Sequence, residues 1–399
     1  DMRIGFTDLF KSIGNREILD RDTLQKRILM VLYGLGTNTG LKRVVTTDSD
    51  VTYKNFLHIE NKYITTDSLR NANSEMSNAI FKVRKPEIWG PASTTCASDS
   101  KQFGSWDQNL RTEWHNRYHG RGIMIYWHVE KGSTCIHSQI KTCSSSEVAS
   151  MIEGLIRHNT TMKVEKNFTD THGQSLIAFA FTHILGFHLM PRFKAIHSKK
   201  LFLPDLDHKD KLKNLTWILA KNSIDWDLIK QNYDQIIKYT TAIRLGTADT
   251  DTILKRFTKN SVKHPVFLAL QELGKVIKTI FLCQYLDSEA LRIEINEGLN
   301  IVENWNSATV FIFFAKGRTF SSNNLENQEI SMLALHLLQN CLVYINTLMI
   351  QAVLADDKLF NSFKEEDFRA LTPLIYEHIN PYGVFELDMD ERIEIKDAA

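Results

Sequence analysis

The spacing of apolar residues changes twice along this chain of 399 residues, so neither an all-helical nor an all-β fold accommodates it. In residues 1–88, Leu24 and Ile28 belong to a run with the spacing of an amphipathic helix. Residues 93–193 instead contain short runs of β-branched and aromatic residues. From Lys211 onward nearly every segment is helical in pattern again, and the whole chain has only 18 glycines and 7 prolines to interrupt helices. We therefore predict a sheet-containing middle flanked by helices.

This middle segment predicts an α/β fold with a mixed sheet and helices packed on it. Gly122–Glu130 and Thr134–Cys143 are separated by Lys131-Gly132-Ser133, which is the pattern of a β-hairpin. Ser144 and Glu147 have the spacing of a capping box, so a helix is predicted to begin there. The other predicted elements are strands at 93–98, 163–169 and 188–193 and a helix at 174–185. The resulting order is β-β-β-α-β-α-β.

The five cysteines and the most apolar segment indicate the cellular compartment in which we expect the protein. The cysteines are widely spread and form no C-x-x-C pair, which argues against a disulfide framework or zinc cluster and favours a reducing cytoplasm. The first residues show no signal peptide. Residues 332–355 are apolar but are interrupted by polar residues such as His336 and Asn340, so they predict a buried helix rather than a membrane span.

Two aspartates follow predicted strands and could meet at one end of the sheet. Asp99 closes the first predicted strand, and Asp170 closes the strand at 163–169. If these strands are neighbours, the two carboxylates lie close together and repel each other unless a cation sits between them. Oxygen ligands of this kind suit Mg²⁺ or Mn²⁺. Taken alone, two strand-end aspartates more often cap turns, and that alternative stays open.

A third acid lies on a polar stripe of a predicted helix at 293–314. Glu303 shares this stripe with asparagines and a serine, while the other faces of the helix are apolar. The stripe faces either a polar partner or solvent, and composition does not separate the two. Its other members are Asn296, Asn300, Asn306 and Ser307.

Three sequence blocks around these acids resemble the acidic blocks of Tn-three-family transposases. The blocks are Ala97-Ser98-Asp99-Ser100-Lys101-Gln102-Phe103, Thr169-Asp170-Thr171-His172-Gly173, and Gly298-Leu299-Asn300-x-x-Glu303-x-x-Asn306. Asp99 and Asp170 are 71 residues apart, and Glu303 follows 133 residues later, as the family spacing requires. Similar blocks occur at 37–41, 185–193 and 371–380, so the resemblance covers almost the whole chain.

This resemblance implies a DDE transposase with an RNase H-like catalytic core interrupted by a large helical insertion. The implied domains are a helical pre-catalytic region at 1–88, the first part of the core at 89–210, the insertion at 211–291, and a helical completion at 292–399. Two prolines and a glycine within 85–91 mark the first boundary. Family members are much longer at the N-terminus, where their end-recognition domains lie, and we expect this chain to lack that part.

The implied reaction is replicative transposition, in which metal-dependent nicking at the transposon ends is followed by joining of the 3′ hydroxyls to target DNA. Asp99, Asp170 and Glu303 are the implied catalytic residues and ligands of two Mg²⁺ or Mn²⁺ ions, with Asp99 bridging them. The implied supporting residues are His172, Asn300 and Asn306. The resemblance further implies a bacterial, nucleoid-associated cytoplasmic protein, dimeric when assembled on DNA and without a membrane partner.

One departure from the family keeps an alternative function open. Ser100 stands where the family usually has glycine after the first aspartate. A non-catalytic or decayed transposase that still binds or assembles on DNA is therefore the second hypothesis. The presence of all three acids favours the enzyme.

The charged residues are locally separated although 48 bases nearly balance 47 acids. Six acids against two bases lie in residues 386–399, whereas seven bases against three acids lie between 192 and 213. Such a basic segment lets a near-neutral protein bind phosphates. We predict that its seven basic residues contact DNA: Arg192, Lys194, Lys199, Lys200, Lys209, Lys211 and Lys213.

The remaining motifs favour roles other than nucleotide binding or metal binding. Gly34, Gly36 and Gly40 resemble a dinucleotide loop, but no room is left for the crossover helix, so they predict a turn that ends a helix. Four histidines cluster in sequence, but no cysteine or carboxylate joins them at ligand spacing, which favours structural or DNA-facing roles over a metal site. These histidines are His115, His119, His128 and His137.

Overall fold

The structure, a computed structural model, describes residues 1–14, 19–45, 51–207, 209–257, 264–383 and 385–391, without the side chains of His172, Lys209 and Asp210. Its N-terminal part is helical, as predicted, and its helices begin at side-chain caps. Asp20, for example, accepts a hydrogen bond from the backbone N–H of Thr23, and Thr52 and Thr65 form capping boxes. The helices are α1 (Arg21–Gly36), α2 (Leu41–Val45), α3 (Tyr53–Tyr63), α4 (Thr66–Val83) and α5 (Pro86–Trp89).

A seven-stranded mixed sheet forms the middle of the chain. Its strands are β1 (Thr95–Ser105), β2 (Glu113–His115), β3 (Gly120–Glu130), β4 (Cys135–Lys141), β5 (Lys166–Thr169), β6 (His188–Pro191) and β7 (Thr319–Phe320). The principal order is β4-β3-β1-β5-β6, with β2 on β3 and β7 on β1. β3 is antiparallel to both of its neighbours, β4 and β1, whereas β5 and β6 run parallel to β1. The predicted hairpin is therefore confirmed as β3 and β4.

Two helices connect the strands, and the rest of the chain is mainly helical. The connecting helices α6 (Glu147–Arg157) and α7 (Leu176–Ile184) precede β5 and β6. The later helices are α8 (Trp226–Leu245), α9 (Thr250–Lys255), α10 (Pro265–Asp287), α11 (Glu289–Ile312), α12 (Leu325–Val353), α13 (Asp357–Phe360) and α14 (Glu365–Ala370). Short 3-10 turns lie at Phe6–Leu9, Thr171–Gln174, Ile196–Ser198, Lys209–Leu215 and Ala315–Arg318.

Helices α11 and α12 are held against the sheet by buried aromatic and amide side chains. The rings of Trp127 on β3 and Trp305 on α11 meet edge to face, with centroids 5.9 Å apart. Gln339 of α12 donates to the backbone carbonyl of Trp305 at 2.9 Å and accepts from the Thr309 hydroxyl at 2.9 Å. Because buried amides need both partners, these bonds fix the position of α11 relative to α12.

The N-terminal helices pack on α12 and share one continuous core with the sheet. Asn73 on α4 is buried and donates to the backbone carbonyl of Leu333 at 3.0 Å. Helix α12 is long and apolar enough to cross a membrane, but 67% of its most apolar window is buried among other elements. The predicted buried helix is thus present, and Gly36 ends α1 as the glycine motif predicted.

Two local predictions are wrong. Asp99 does not close β1, because β1 continues to Ser105 in register with β3 and buries Phe103 against Phe313 and Phe320. Ser144 does not cap α6 either. The residue before this helix is Ser146, whose side chain makes no capping hydrogen bond.

Candidate active site

The pairing of β1 with β5 brings Asp99 and Asp170 to neighbouring positions. The two strands are parallel, and Ser98 is in register with Thr169, so the next residue on each strand is an aspartate. β5 ends at Thr169 while β1 continues, which leaves Asp170 at a strand end and Asp99 within a strand. Both aspartates line one small cleft together with Tyr126, Glu147 and Gly173.

The floor of this cleft is a buried hydrogen-bond chain between the same strands. Tyr126 donates its hydroxyl to Ser98 Oγ at 3.1 Å, and Asn167 Nδ2 donates to the same oxygen at 3.0 Å. The thiol of Cys96 donates to Asn167 Oδ1 at 3.2 Å. Because every member of the chain is buried, the polar atoms hold β1, β3 and β5 in one register below the aspartates.

Asp99 is an acid under electrostatic strain. Burial raises its pKa to about 6, a backbone hydrogen bond from Ser100 opposes this rise, and the negative charges of Asp170, Glu147 and Glu303 add to it. All three other acids therefore lie within electrostatic reach of Asp99. A cation in the cleft would relieve this repulsion.

Helix α11 supplies Glu303 and Asn306 to the site because it approaches the sheet closely. A Cβ at Gly298 would lie 2.2 Å from Phe168 on β5, so only glycine permits this approach. About two helical turns further along α11, Asn306 is buried and its Nδ2 donates to Asp99 Oδ2 at 3.0 Å. Glu303 lies on the same helix and is exposed.

A fourth acid, Glu147, belongs to the site although its sequence pattern indicated a helix cap. Its carboxylate accepts a hydrogen bond of 2.7 Å from the hydroxyl of Ser100, and it lines the cleft with both aspartates. The pairing of a β1 serine with an acid at the start of α6 is a long-range contact. The sequence drew attention to Ser100 only as a departure from the family glycine, and it gave no signal for the contact between Ser100 and Glu147.

The predicted basic segment begins beside the acidic cleft. Thr169 and Pro191 are paired, and the backbone N–H of Arg192 donates to Thr169 O at 3.0 Å, so Arg192 lies next to Asp170 in the sheet. Lys200 donates to the backbone carbonyl of Trp217 at 2.5 Å, and Lys199 is half-buried. Three further predicted residues are exposed: Lys194, Lys211 and Lys213. The side chain of Lys209 lies outside the described part of the chain.

Sequence reasoning missed a further cation, Lys278 on α10. Its ammonium donates to the backbone carbonyl of Gln174 at 2.9 Å, in the 3-10 turn that follows Asp170. Burial and, to a lesser extent, the nearby charge of Lys199 together lower the pKa of Lys278 to about 8. An isolated lysine in an apolar helix carries no sequence signal for such a contact.

Other residues considered from sequence lie elsewhere or play structural parts. His128 is buried and its Nε2 lies 3.0 Å from the backbone carbonyl of Met151, and its ring packs against His137, which agrees with structural roles. Asn300 is exposed on α11. Glu329, near the start of α12, forms an ion pair with Arg70 on α4. The side chain of His172 is outside the described residues.

Within the described residues, no three side chains of His, Cys, Asp or Glu are assembled closely enough to form a complete metal centre. The donor chemistry nevertheless fits a hard divalent cation. Asp99 and Asp170 are adjacent carboxylates, Glu303 is close enough to perturb Asp99, and Asn306 fixes one oxygen of Asp99.

Comparison with known proteins identifies the family to which the chain belongs. The family described as the Tn3 transposase DDE domain matches residues 1–385. The chain is 28% identical over 392 residues to the transposase of transposon Tn1546 from Enterococcus faecium, covering 98% of this chain and 39% of that protein. It is 25% identical over 391 residues to the transposase of transposon Tn2501 from Escherichia coli, covering 95% of this chain and 38% of that protein. The chain thus spans about two fifths of the length of these relatives, and it belongs to the Tn3 transposase DDE domain family.

Proposed function

We propose that this chain is the catalytic part of a DNA transposase that nicks transposon ends and joins the freed 3′ hydroxyls to target DNA, as in replicative transposition. The observation that carries the proposal is the adjacency of Asp99 and Asp170 on parallel strands, with Glu303 and Asn306 brought to them by α11. The sequence spacing of the three acids is that of the family resemblance.

The sheet order supports an RNase H-like core. Three antiparallel strands, β4-β3-β1, are followed by α6, β5, α7 and β6, and the last two strands run parallel to β1. Along the chain, helices α8, α9 and α10 follow β6 and precede α11, which is where the resemblance places the insertion. Lys278 of α10 ties that helical part to the turn after Asp170.

The proposed metals are two Mg²⁺ or Mn²⁺ ions held by Asp99, Asp170 and Glu303. Bound there, they would supply activation of the attacking oxygen and stabilisation of the leaving oxygen. Asn306 orients Asp99 by donating to Oδ2, so the other oxygen stays directed to the cleft. Arg192 and the exposed lysines after it hold DNA phosphates next to these carboxylates.

Strand nicking in the presence and absence of divalent ions tests the proposal. We expect cleavage of a transposon-end duplex in Mg²⁺ or Mn²⁺ and none in chelator. Asp99→Asn, Asp170→Asn and Glu303→Gln should each reduce cleavage by at least about 10³-fold, since each removes an anionic ligand. DNA binding and folding should persist. Glu326→Gln, at the start of α12, is the matched control and should cleave like the parent.

The same experiment separates the catalytic from the non-catalytic hypothesis. A parent chain that binds DNA but never cleaves it with either ion would favour a transposase-derived DNA-binding protein. Near-normal cleavage by any one of the three acid variants would remove that residue from the proposed centre.

A further inference from the structure

The connection between β1 and β3, residues 106–119, exposes an unusual set of large apolar side chains. Trp106 is 51% exposed, Leu110 91%, Trp114 56% and Tyr118 39%. A folded protein rarely leaves several large apolar groups of one short segment in water unless they contact a partner. We call residues 106–119 the β1–β3 connection.

The first turn of this connection is held rigidly. The Thr112 hydroxyl donates to the backbone carbonyl of Trp106 at 2.8 Å, and the backbone N–H of Asn109 donates to the same oxygen at 3.1 Å. Asn109 itself is buried, donates to the backbone carbonyl of Asn323 at 3.1 Å and accepts from the N–H of Arg111 at 2.7 Å. The exposed side chains of Trp106 and Leu110 are therefore presented on a preformed frame, which lowers the entropic cost of binding.

The second turn surrounds Tyr118. Tyr118 packs on His115, with ring centroids 4.8 Å apart, and the guanidinium of Arg117 lies 5.7 Å from the Tyr118 ring centre. Burial raises the pKa of Tyr118, the Arg117 guanidinium opposes this rise, and the charges of Asp99, Glu147 and Asp170 add to it. Gln102 of β1 fixes the end of the turn by donating to Gly120 O at 2.9 Å.

The arginines of the segment favour DNA over an apolar protein partner. Arg111, Arg117 and Arg121 alternate with the aromatic residues, and all three arginines lie within sixteen residues of Trp106. Both acids of the connection have partners: Asp107 lies 3.5 Å from Arg121 in an ion pair, and Glu113 accepts hydrogen bonds from the backbone N–H and hydroxyl of Ser144, at 2.7 and 3.0 Å. Alternating arginines and exposed rings match the alternating phosphates and bases of a nucleic-acid strand.

We propose that the β1–β3 connection is a base-stacking site, at which Trp106, Trp114 and Tyr118 hold unpaired bases of the DNA that this chain binds. This inference rests on the proposed function for the identity of the nucleic acid. The connection would bind bases, whereas the lysine-rich segment after β6 would bind phosphates. Aromatic stacking accepts any base, so the site carries little sequence preference.

Binding of single strands with and without bases tests this directly. Fluorescence anisotropy would compare a labelled 16-nucleotide thymidine strand with the same strand carrying abasic sites at its central positions. The parent chain should bind the base-bearing strand more tightly. Trp106→Ala and Trp114→Ala should each lower affinity for that strand by about 5- to 100-fold and leave the abasic strand unchanged. Tyr233→Ala, an equally exposed aromatic on α8, is the matched control and should change neither affinity.

Three results would overturn the inference. One is equal binding of the two strands by the parent chain. Another is an equal loss on both strands in the tryptophan variants, which would indicate phosphate binding or misfolding. The third is a change of sedimentation coefficient in Trp114→Ala with unchanged DNA affinity, which would assign the surface to contacts between protein copies. Because no cleavage is measured, failure of metal-dependent nicking would contradict the proposed function without affecting this result.

Discussion

Ionisation of Asp99 lowers the free energy of unfolding of the metal-free protein, and this loss can be measured. Its pKa of about 6 lies above the ordinary value, so the folded state disfavours the carboxylate. The destabilisation is absent below about pH 4, grows as the pH rises toward 6, and is complete above that. Burial is the first cause and the neighbouring acids are the second.

Replacing Asp99 by Asn should therefore stabilise the metal-free protein at high pH. We expect the free energy of unfolding in chelator to rise by about 1–3 kcal/mol at pH 8 and to be unchanged near pH 4. Urea unfolding at the two pH values measures this, with Asp207→Asn, at an exposed turn, as the control. Mg²⁺ should stabilise the parent and not the variant. A destabilised variant at pH 8 would contradict the assigned strain.

Asn306 contacts Asp99 rather than the proposed metal ion, so its replacement should change metal affinity without removing a metal ligand. Its amide holds Asp99 Oδ2 at 3.0 Å from a buried position. Since such supporting contacts are worth about 10- to 100-fold in metal affinity, Asn306→Ala should weaken Mn²⁺ binding by that factor. Calorimetric titration with Mn²⁺ measures it. Asn296→Ala, exposed on the same helix, should bind Mn²⁺ like the parent, and equal losses in both variants would argue against positioning by Asn306.

Among the elements, α11 shows how one small residue sets the geometry of the site. In an ordinary helix, replacing glycine by alanine stabilises by about 1 kcal/mol. At Gly298 the new Cβ would lie 2.2 Å from the Phe168 ring, so α11 must move away from β5. We expect Gly298→Ala to destabilise the protein by about 1–3 kcal/mol and to reduce cleavage.

A compensating variant makes this prediction specific. Gly298→Ala combined with Phe168→Leu removes much of the clash and should recover part of the lost stability relative to Gly298→Ala alone. Thermal unfolding of the parent, the two single variants and the double variant gives the coupling. Strictly additive effects would show that the two residues are not in contact.

The helices and strands also show which parts of the structure could be predicted from the sequence. The local sequence pattern was enough for the β3–β4 hairpin, α6, α7 and the buried α12, because each is a run of residues that favour one kind of secondary structure. It failed at the far half of β1, where Ser100, Gln102 and Gly104 give no strand signal and register with β3 decides the structure. Glu147 was interpreted as a cap for the same reason, since its bond to Ser100 joins residues 47 positions apart.

At the scale of the whole molecule, positive and acidic surfaces adjoin at the end of β5 and β6. The exposed lysines after Arg192 should contact phosphates, because lysine is a flexible point charge. Replacing Lys194 and Lys213 by Ala should weaken binding to all duplex sequences alike and reduce the slope of log affinity against log salt by about 1–2. Lys358→Ala on α13 is the control. A loss confined to one sequence would indicate base readout instead.

The last prediction concerns specificity, and it follows from how the N-terminal helices are used. Their buried faces pack on α12, and their basic residues form only small clusters, namely Lys26-Arg27, Lys42-Arg43 and Lys82 with Arg84-Lys85. None of these clusters matches the arginine-rich, groove-reading face that base recognition requires. We therefore expect this chain to bind transposon-end and scrambled duplexes with affinities that differ by much less than the roughly 10³-fold of true site readers. Competition binding at physiological salt measures the ratio, and a value near 10³ would place end recognition within residues 1–88.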